Sequence, residues 1–293
     1  MGTMVTIQVF AESEAHANNV VTKVIEDMQH VEQVMSVFRP ESDVSKINAH
    51  AGKNSVKVDP MLIEIFDSAI TAARNTGGVF DVTIEPLMEL WHFRETEKRL
   101  MRIPSEREIE RALDAVGINN LVIDRTSNTI GLVHPKSKID LGGIAVGFAI
   151  DRAVDLLRAH GIEDALINHS GDIYALGSPP EADGWEIAIT DPRDARQVLH
   201  SFLAKDRAVS TSGGYEHFVE YHTKRFGHIM DPRKGAPTNI MQSATVVTKN
   251  ALDADVYSTA YFVDKSFAEN NSLSTAMTLY EIDSTFEVKK RKF

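Results

Sequence analysis

Asp140-Leu141-Gly142-Gly143-Ile144-Ala145-Val146-Gly147 is a strand end that passes through a glycine-rich turn into an amphipathic helix stopping at Gly161. Its spacing matches neither the dinucleotide fingerprint nor the phosphate loop, which also demands a Lys-Ser/Thr pair. The fold must therefore be read from what flanks this turn. Upstream, a strand over 3–10 leads into a helix with Val20, Val24, Met28, Val31 and Met35 three or four apart. Pro40 breaks it, and Ser42 caps a short turn through Asn48. Asp59-Pro60 opens a helix with Leu62, Phe66, Ala69 and Ala73 on one face and Gly77 as its stop. A third helix lies between Pro104 and Gly117, and strands follow over 121–124 and 129–134. Downstream, strands dominate: 165–168, 172–176, 185–190, 207–210, 242–248 and 275–282, with one helix over 254–263. Strands and helices are mixed without strict alternation. That pattern predicts an α+β fold rather than a doubly wound parallel sheet. With no repeat and no obvious linker, one intertwined unit over 1–293 is expected.

Composition narrows the function. The chain has 293 residues, 43% hydrophobic and 25% charged, which is ordinary for a globular protein. Its 31 Lys and Arg against 42 Asp and Glu leave a net charge of −11, a poor balance for general binding to nucleic-acid phosphates. Cysteine is absent, which excludes disulfides, zinc thiolates, iron–sulfur clusters and thiol nucleophiles. No apolar run approaches the roughly 20 residues of a membrane span. The first ten residues alternate like a strand and are no signal peptide.

Three segments can carry chemistry. In Asp140–Gly147, small residues let backbone groups approach a ligand, and a helix start favours anions. The same glycines serve an ordinary tight turn. In Gly227-His228-Ile229-Met230-Asp231-Pro232-Arg233-Lys234-Gly235-Ala236-Pro237, two prolines stiffen a loop that His228 enters from a strand. His228 is a candidate general base, or a hydrogen-bonded histidine of a structural turn. In Asp253-Ala254-Asp255-Val256-Tyr257-Ser258-Thr259-Ala260, a helix puts Asp255 and Thr259 on one face. A carboxylate, a hydroxyl and nearby carbonyls suit a hard cation such as Mg²⁺, whereas an aspartate there also suits a helix cap. Gly77 and Gly78, ahead of Val79-Phe80-Asp81, read as helix terminators.

Taken in order, these stretches resemble the ApbE family of FAD:protein FMN transferases. The resemblance runs through Met1-Gly2-Thr3, Ser36-Val37-Phe38-Arg39-Pro40 with Asn48, Gly77–Thr83 with Pro86-Leu87 and Leu90-Trp91, and Ile139–Ala145. It continues through Ser170-Gly171-Asp172-Ile173, Ser210-Thr211-Ser212-Gly213, His228–Pro232 and Asp255 with Thr259. It implies an α+β unit of mixed, largely antiparallel sheets with flanking helices. Mg²⁺ is then expected at Asp255, the Thr259 hydroxyl and the Gly143 carbonyl, with the Ser258 carbonyl close by. FAD is expected against Met1, Phe38, Val79, Phe80, Asp81, Asp140, Val146 and Ile229, and His228 beside the pyrophosphate. Val146 stands where the family often carries Lys, and Ser170-Gly171-Asp172 replaces its usual Gly-Gly-Asp.

The implied reaction is Mg²⁺-dependent transfer of FMN from FAD to a threonine hydroxyl of a partner redox protein, with AMP released. His228 is the expected proton acceptor, and Asp255 the metal ligand and helper. The alternatives are hydrolysis of FAD to FMN and AMP at the same site, and flavin binding without turnover. The resemblance places the protein on the periplasmic side of the inner membrane, on an N-terminal anchor outside these residues. The cytoplasm is the alternative.

Overall fold

A computed structural model describes residues 3–95, 97–214, 217–238, 240–270 and 276–293. Its centre is a seven-stranded sheet in which neighbours in space are also consecutive along the chain. The strands are β1 (Val5–Phe10), β2 (Asp164–His169), β3 (Asp172–Leu176), β4 (Arg207–Gly213), β5 (Ser243–Thr248), β6 (Thr278–Ile282) and β7 (Val288–Lys292). Every neighbouring pair is antiparallel. The α+β expectation holds, and the absence of strict alternation has a simple cause. The chain lays down a meander and inserts everything else between its strands.

The longest insertion separates β1 from β2. It carries α1 (Glu14–Met35), α2 (Asp43–Ala49), α3 (Pro60–Asn75), α4 (Glu85–Leu90), α5 (Glu106–Leu113) and α6 (Ala145–Ala159). A small antiparallel sheet of Val56–Lys57, Thr129–Leu132 and Leu121–Asp124 lies among them. The apolar spacing of α1 and α3 is used as read: Val20, Val24, Met28, Val31 and Met35, and Leu62, Phe66, Ala69 and Ala73, are all buried. After β5 comes α7 (Ala251–Val263), which lies on β4 and β5. Helix α6 packs beside α7, and α1 packs on α6. This layered stack forms the main core. The opposite face of β3 and β4 is covered by a hairpin, Trp185–Asp191 with Asp194–Ala204, anchored by the Trp185 indole N–H on the Leu176 carbonyl (2.9 Å).

Several elements differ from the sequence reading. The turn after Ser42 is a full helix, α2, with the Ser42 hydroxyl accepting the Ser45 N–H. The third helix is shorter than its Pro104–Gly117 bracket, starting at the Ser105/Glu108 capping box. Helix α4, the strand Asp194–Ala204 and β7 have no counterpart in the reading. Asp194–Ala204 is mostly exposed and its apolar residues fall in adjacent pairs rather than alternating, and β7 is nearly all basic, so neither announces a strand. Of the strand expected over 275–282, Thr275 lies outside the described residues.

Candidate active site

The site begins where α6 meets α7. The cap of α7 is Asn250, whose side chain accepts the Asp253 N–H (3.2 Å). Asp151 of α6 accepts the N–H groups of Ala251 (2.6 Å) and Leu252 (2.9 Å). The helix start is thus satisfied without Asp255, which removes capping as the reason for that carboxylate. Asp255 is buried, and its Oδ2 accepts the Gly147 N–H at 3.0 Å. Gly147 is required for that approach: a Cβ there would stand 2.4 Å from the Ala251 carbonyl oxygen. Burial, reinforced by the charge of Asp172, pushes the Asp255 carboxyl well above the usual carboxylate range. Its Oδ1 accepts no hydrogen bond among the described residues. Such a carboxyl keeps its proton unless a cation pairs with it.

One turn further, the Thr259 hydroxyl lies 3.2 Å from the Ser212 hydroxyl of β4. Gly143 faces it, so that a Cβ at Gly143 would be 3.7 Å from Thr259 Oγ1 and 3.2 Å from the Phe80 ring. Asp255, Thr259 and Gly143 line one cavity, and a carboxylate, a hydroxyl and a backbone carbonyl are the kind of oxygen donors that suit Mg²⁺. Among the described residues no three His, Asp or Glu side chains converge on a metal position. The set therefore rests on one carboxylate completed by neutral oxygens. The Ser258 side chain points elsewhere. It is fully buried, its hydroxyl donating to the Asp255 carbonyl (3.0 Å) and meeting Ser210 and Ser212, and it does not line the cavity.

Asp255 and Thr259 form part of the wall of a cavity of about 380 Å³. Phe38, Val79, Phe80, Asp81, Asp140, Val146 and Ile229 line it too, so the structure gathers these expected flavin contacts into one place. Met1 lies outside the described residues. Val79 and Phe80 are buried, whereas Phe38 is 70% exposed and offers a ring face. Gly77 and Gly78 end α3 as read, with positive φ and N–H groups returned to Arg74 and Ala73. The Asp81 carboxylate is already engaged: it accepts the Thr83 N–H (2.8 Å), the Thr83 hydroxyl (2.6 Å) and the Ile118 N–H (3.1 Å). Asp140 is set by Asn48, whose side-chain amide donates to the Ile139 carbonyl (2.9 Å) and accepts the Ile139 N–H (2.7 Å). At the far wall the β2–β3 turn, with positive φ at Ser170 and Gly171, brings His169 and Asp172 to the cavity.

His228 enters from the loop after the hairpin Phe218–Tyr221 and Lys224–Gly227. That loop is tied to α4 by the Trp91 indole N–H on the Gly235 carbonyl (2.9 Å). The ring nitrogen Nδ1 of His228 lies 3.1 Å from the His217 carbonyl, so Nδ1 carries the proton and Nε2 keeps its lone pair. Burial, then the neighbouring His217 ring, pulls its pKa down to about 4, leaving it neutral near pH 7. Glu32, Ile84, Met88, Arg94 and His217 line the cavity without any role in the sequence reading, and Glu85, next to Ile84, grips Arg94. No local motif marks them, since they reach the cavity only through tertiary packing.

An antiparallel meander with a helical layer thus carries a cleft that combines an apolar shelf, carboxylate and hydroxyl oxygens and a neutral histidine, and the molecule is an α+β protein with a ligand-sized site. The ApbE family profile matches residues 1–278, and the chain belongs to that family. The FAD:protein FMN transferase of Klebsiella pneumoniae (strain 342) is 30% identical over 293 residues, 99% of this chain and 88% of that protein. The crystal structure of the ApbE protein from Thermotoga maritima superposes with a TM-score of 0.87 at 31% identity, covering 99% of this chain and 94% of that one. Flavin transferase ApbE from Vibrio cholerae gives 0.84 at 28% identity, covering 100% and 94%.

Proposed function

We propose that this enzyme, a flavin transferase by family, moves the FMN half of FAD onto a threonine hydroxyl of a partner protein and releases AMP. The observation that carries the reading is the convergence of Asp255, Thr259 and Gly143 with His228 in a single cavity. Asp255, the Thr259 hydroxyl and the Gly143 carbonyl would hold Mg²⁺, which when bound neutralises charge on the pyrophosphate. Phe38 supplies a flat face for an aromatic ring system. The threonine hydroxyl attacks the FMN-side phosphorus as its proton passes to Nε2 of His228. A phosphoester bond forms, and the bond to the bridging oxygen breaks as AMP leaves with that oxygen. In the free protein His228 holds a proton weakly; the negative charge of the pyrophosphate raises that affinity where it is needed.

The test is mass spectrometry of threonine-bearing acceptor peptides incubated with the protein, FAD and Mg²⁺. A gain of one FMN per peptide, absent without Mg²⁺, is expected. Rapid AMP release with no acceptor and no labelled peptide would replace transfer by hydrolysis.

A further inference from the structure

Charge in the cavity is unevenly distributed. Five carboxylates line it, from Glu32, Asp81, Asp140, Asp172 and Asp255, and among the described residues Arg94 is the only Lys or Arg that does. A ligand bearing phosphates meets repulsion from whichever of these carboxylates are ionised. Arg94 is built to oppose it. Glu85, in the first turn of α4, is 5% exposed and grips the guanidinium from one side. Nε donates to both Glu85 oxygens, at 2.8 and 3.0 Å, and Nη2 donates to Oε2 as well. Nη2 also donates to Asp140 Oδ2. The remaining nitrogen, Nη1, donates to nothing among the described residues. Asp140 can release Arg94 without being stranded, because its Oδ1 accepts the Gly142 N–H at 2.8 Å. The Phe38 ring lies over the guanidinium, 5.2 Å from its centroid, and the charges of Arg94 and Asp140 are both felt at His228. An anchored guanidinium with an unspent donor, against an aromatic shelf and in the cavity that His228 also lines, matches a phosphate oxygen in geometry and charge.

We propose that Arg94 is the anion clamp of this cavity, binding a pyrophosphate oxygen of FAD through its outer nitrogens while Glu85 holds Nε. It thereby selects phosphate-bearing flavins over riboflavin. This deepens the FAD reading and rests on it.

The experiment is calorimetric titration of wild type, Arg94→Gln and Arg94→Lys with FAD, inorganic pyrophosphate and riboflavin, in Mg²⁺ and without acceptor. Losing one charge-assisted hydrogen bond should weaken FAD and pyrophosphate by about tenfold or more in Arg94→Gln. Riboflavin should change by less than about twofold, since it has no phosphate to lose. Arg94→Lys should fall between, keeping the charge without the fork. Equal weakening of FAD and riboflavin would overturn the clamp and leave Arg94 as a support for the Phe38 shelf. Unchanged FAD affinity would overturn it outright. If wild type binds pyrophosphate in an Arg94-dependent way but ignores FAD, the clamp stands and the flavin reading falls. Should Arg94→Gln fail to fold with Glu85 left alone, Glu85→Gln/Arg94→Gln removes the stranded carboxylate and allows the same titrations.

Discussion

Asp255 lies beyond the first turn of α7, where Asn250 and Asp151 already satisfy the helix start. Substitution by Asn keeps an acceptor for the Gly147 N–H but removes the charge. Without metal, Asp255→Asn should melt no lower than wild type, because burial already disfavours the carboxylate. Mg²⁺ affinity should fall by at least about tenfold, as a direct ligand counts for no less than an outer-shell partner. Transfer at limiting Mg²⁺ should fall with it. Thermal melts and Mg²⁺ titrations read the two effects separately, and full transfer by the variant at limiting Mg²⁺ would remove the metal assignment. Thr259→Val should follow the same pattern more weakly, since a neutral hydroxyl holds a hard cation less tightly than a carboxylate.

At the scale of elements, the junction of α6 and α7 positions the site. Asp151 holds the α7 N-terminus, and burial, opposed by those backbone hydrogen bonds, pushes its pKa up to about 6 from 3.8. A folded-state pKa above the unfolded one means that the folded protein binds the proton more tightly. Asp151 therefore adds stability as pH falls from about 6 toward 3.8, and loses that contribution as pH rises through 6. Asp151→Asn does not titrate. The stability gap between wild type and the variant should move in favour of wild type across that window, by at most about 1.4 kcal/mol per pH unit. Denaturant melts at pH 7, 5.5 and 4.5 check it; a gap that stays level would show Asp151 to be unshifted.

Across the whole molecule, the cavity draws Phe38 and Asp140 from the insertion between β1 and β2, His228 from that between β4 and β5, and Asp255 from that between β5 and β6. One core cluster runs from Val20 in α1 to Leu279 in β6. Opening the cavity therefore disturbs packing shared by both halves of the chain. Calorimetry should show one unfolding transition, as the reading of 1–293 as one unit requires. FAD with Mg²⁺ at a hundred times its Kd should raise the entire transition by about 2.7 kcal/mol. Two transitions, with only one moved by ligand, would divide the chain.

Local sequence carries the α+β class, the buried faces of α1 and α3, and the pairing of Asp255 with Thr259 on one helix face. Those features are written in local periodicity and in residue type: apolar residues three or four apart, and a carboxylate and hydroxyl one helical turn apart. The ordered motifs, through family resemblance, also named most of the cavity wall. Tertiary structure alone removed the cap reading of Asp255, because the cap is supplied by Asn250 and by Asp151, about a hundred residues earlier in the chain. It alone brought Arg94 onto Glu85 and Asp140, and set which nitrogen of His228 keeps its lone pair. Some of these contacts join segments far apart in the chain, and all of them depend on direction and burial, which no spacing along one strand or helix encodes.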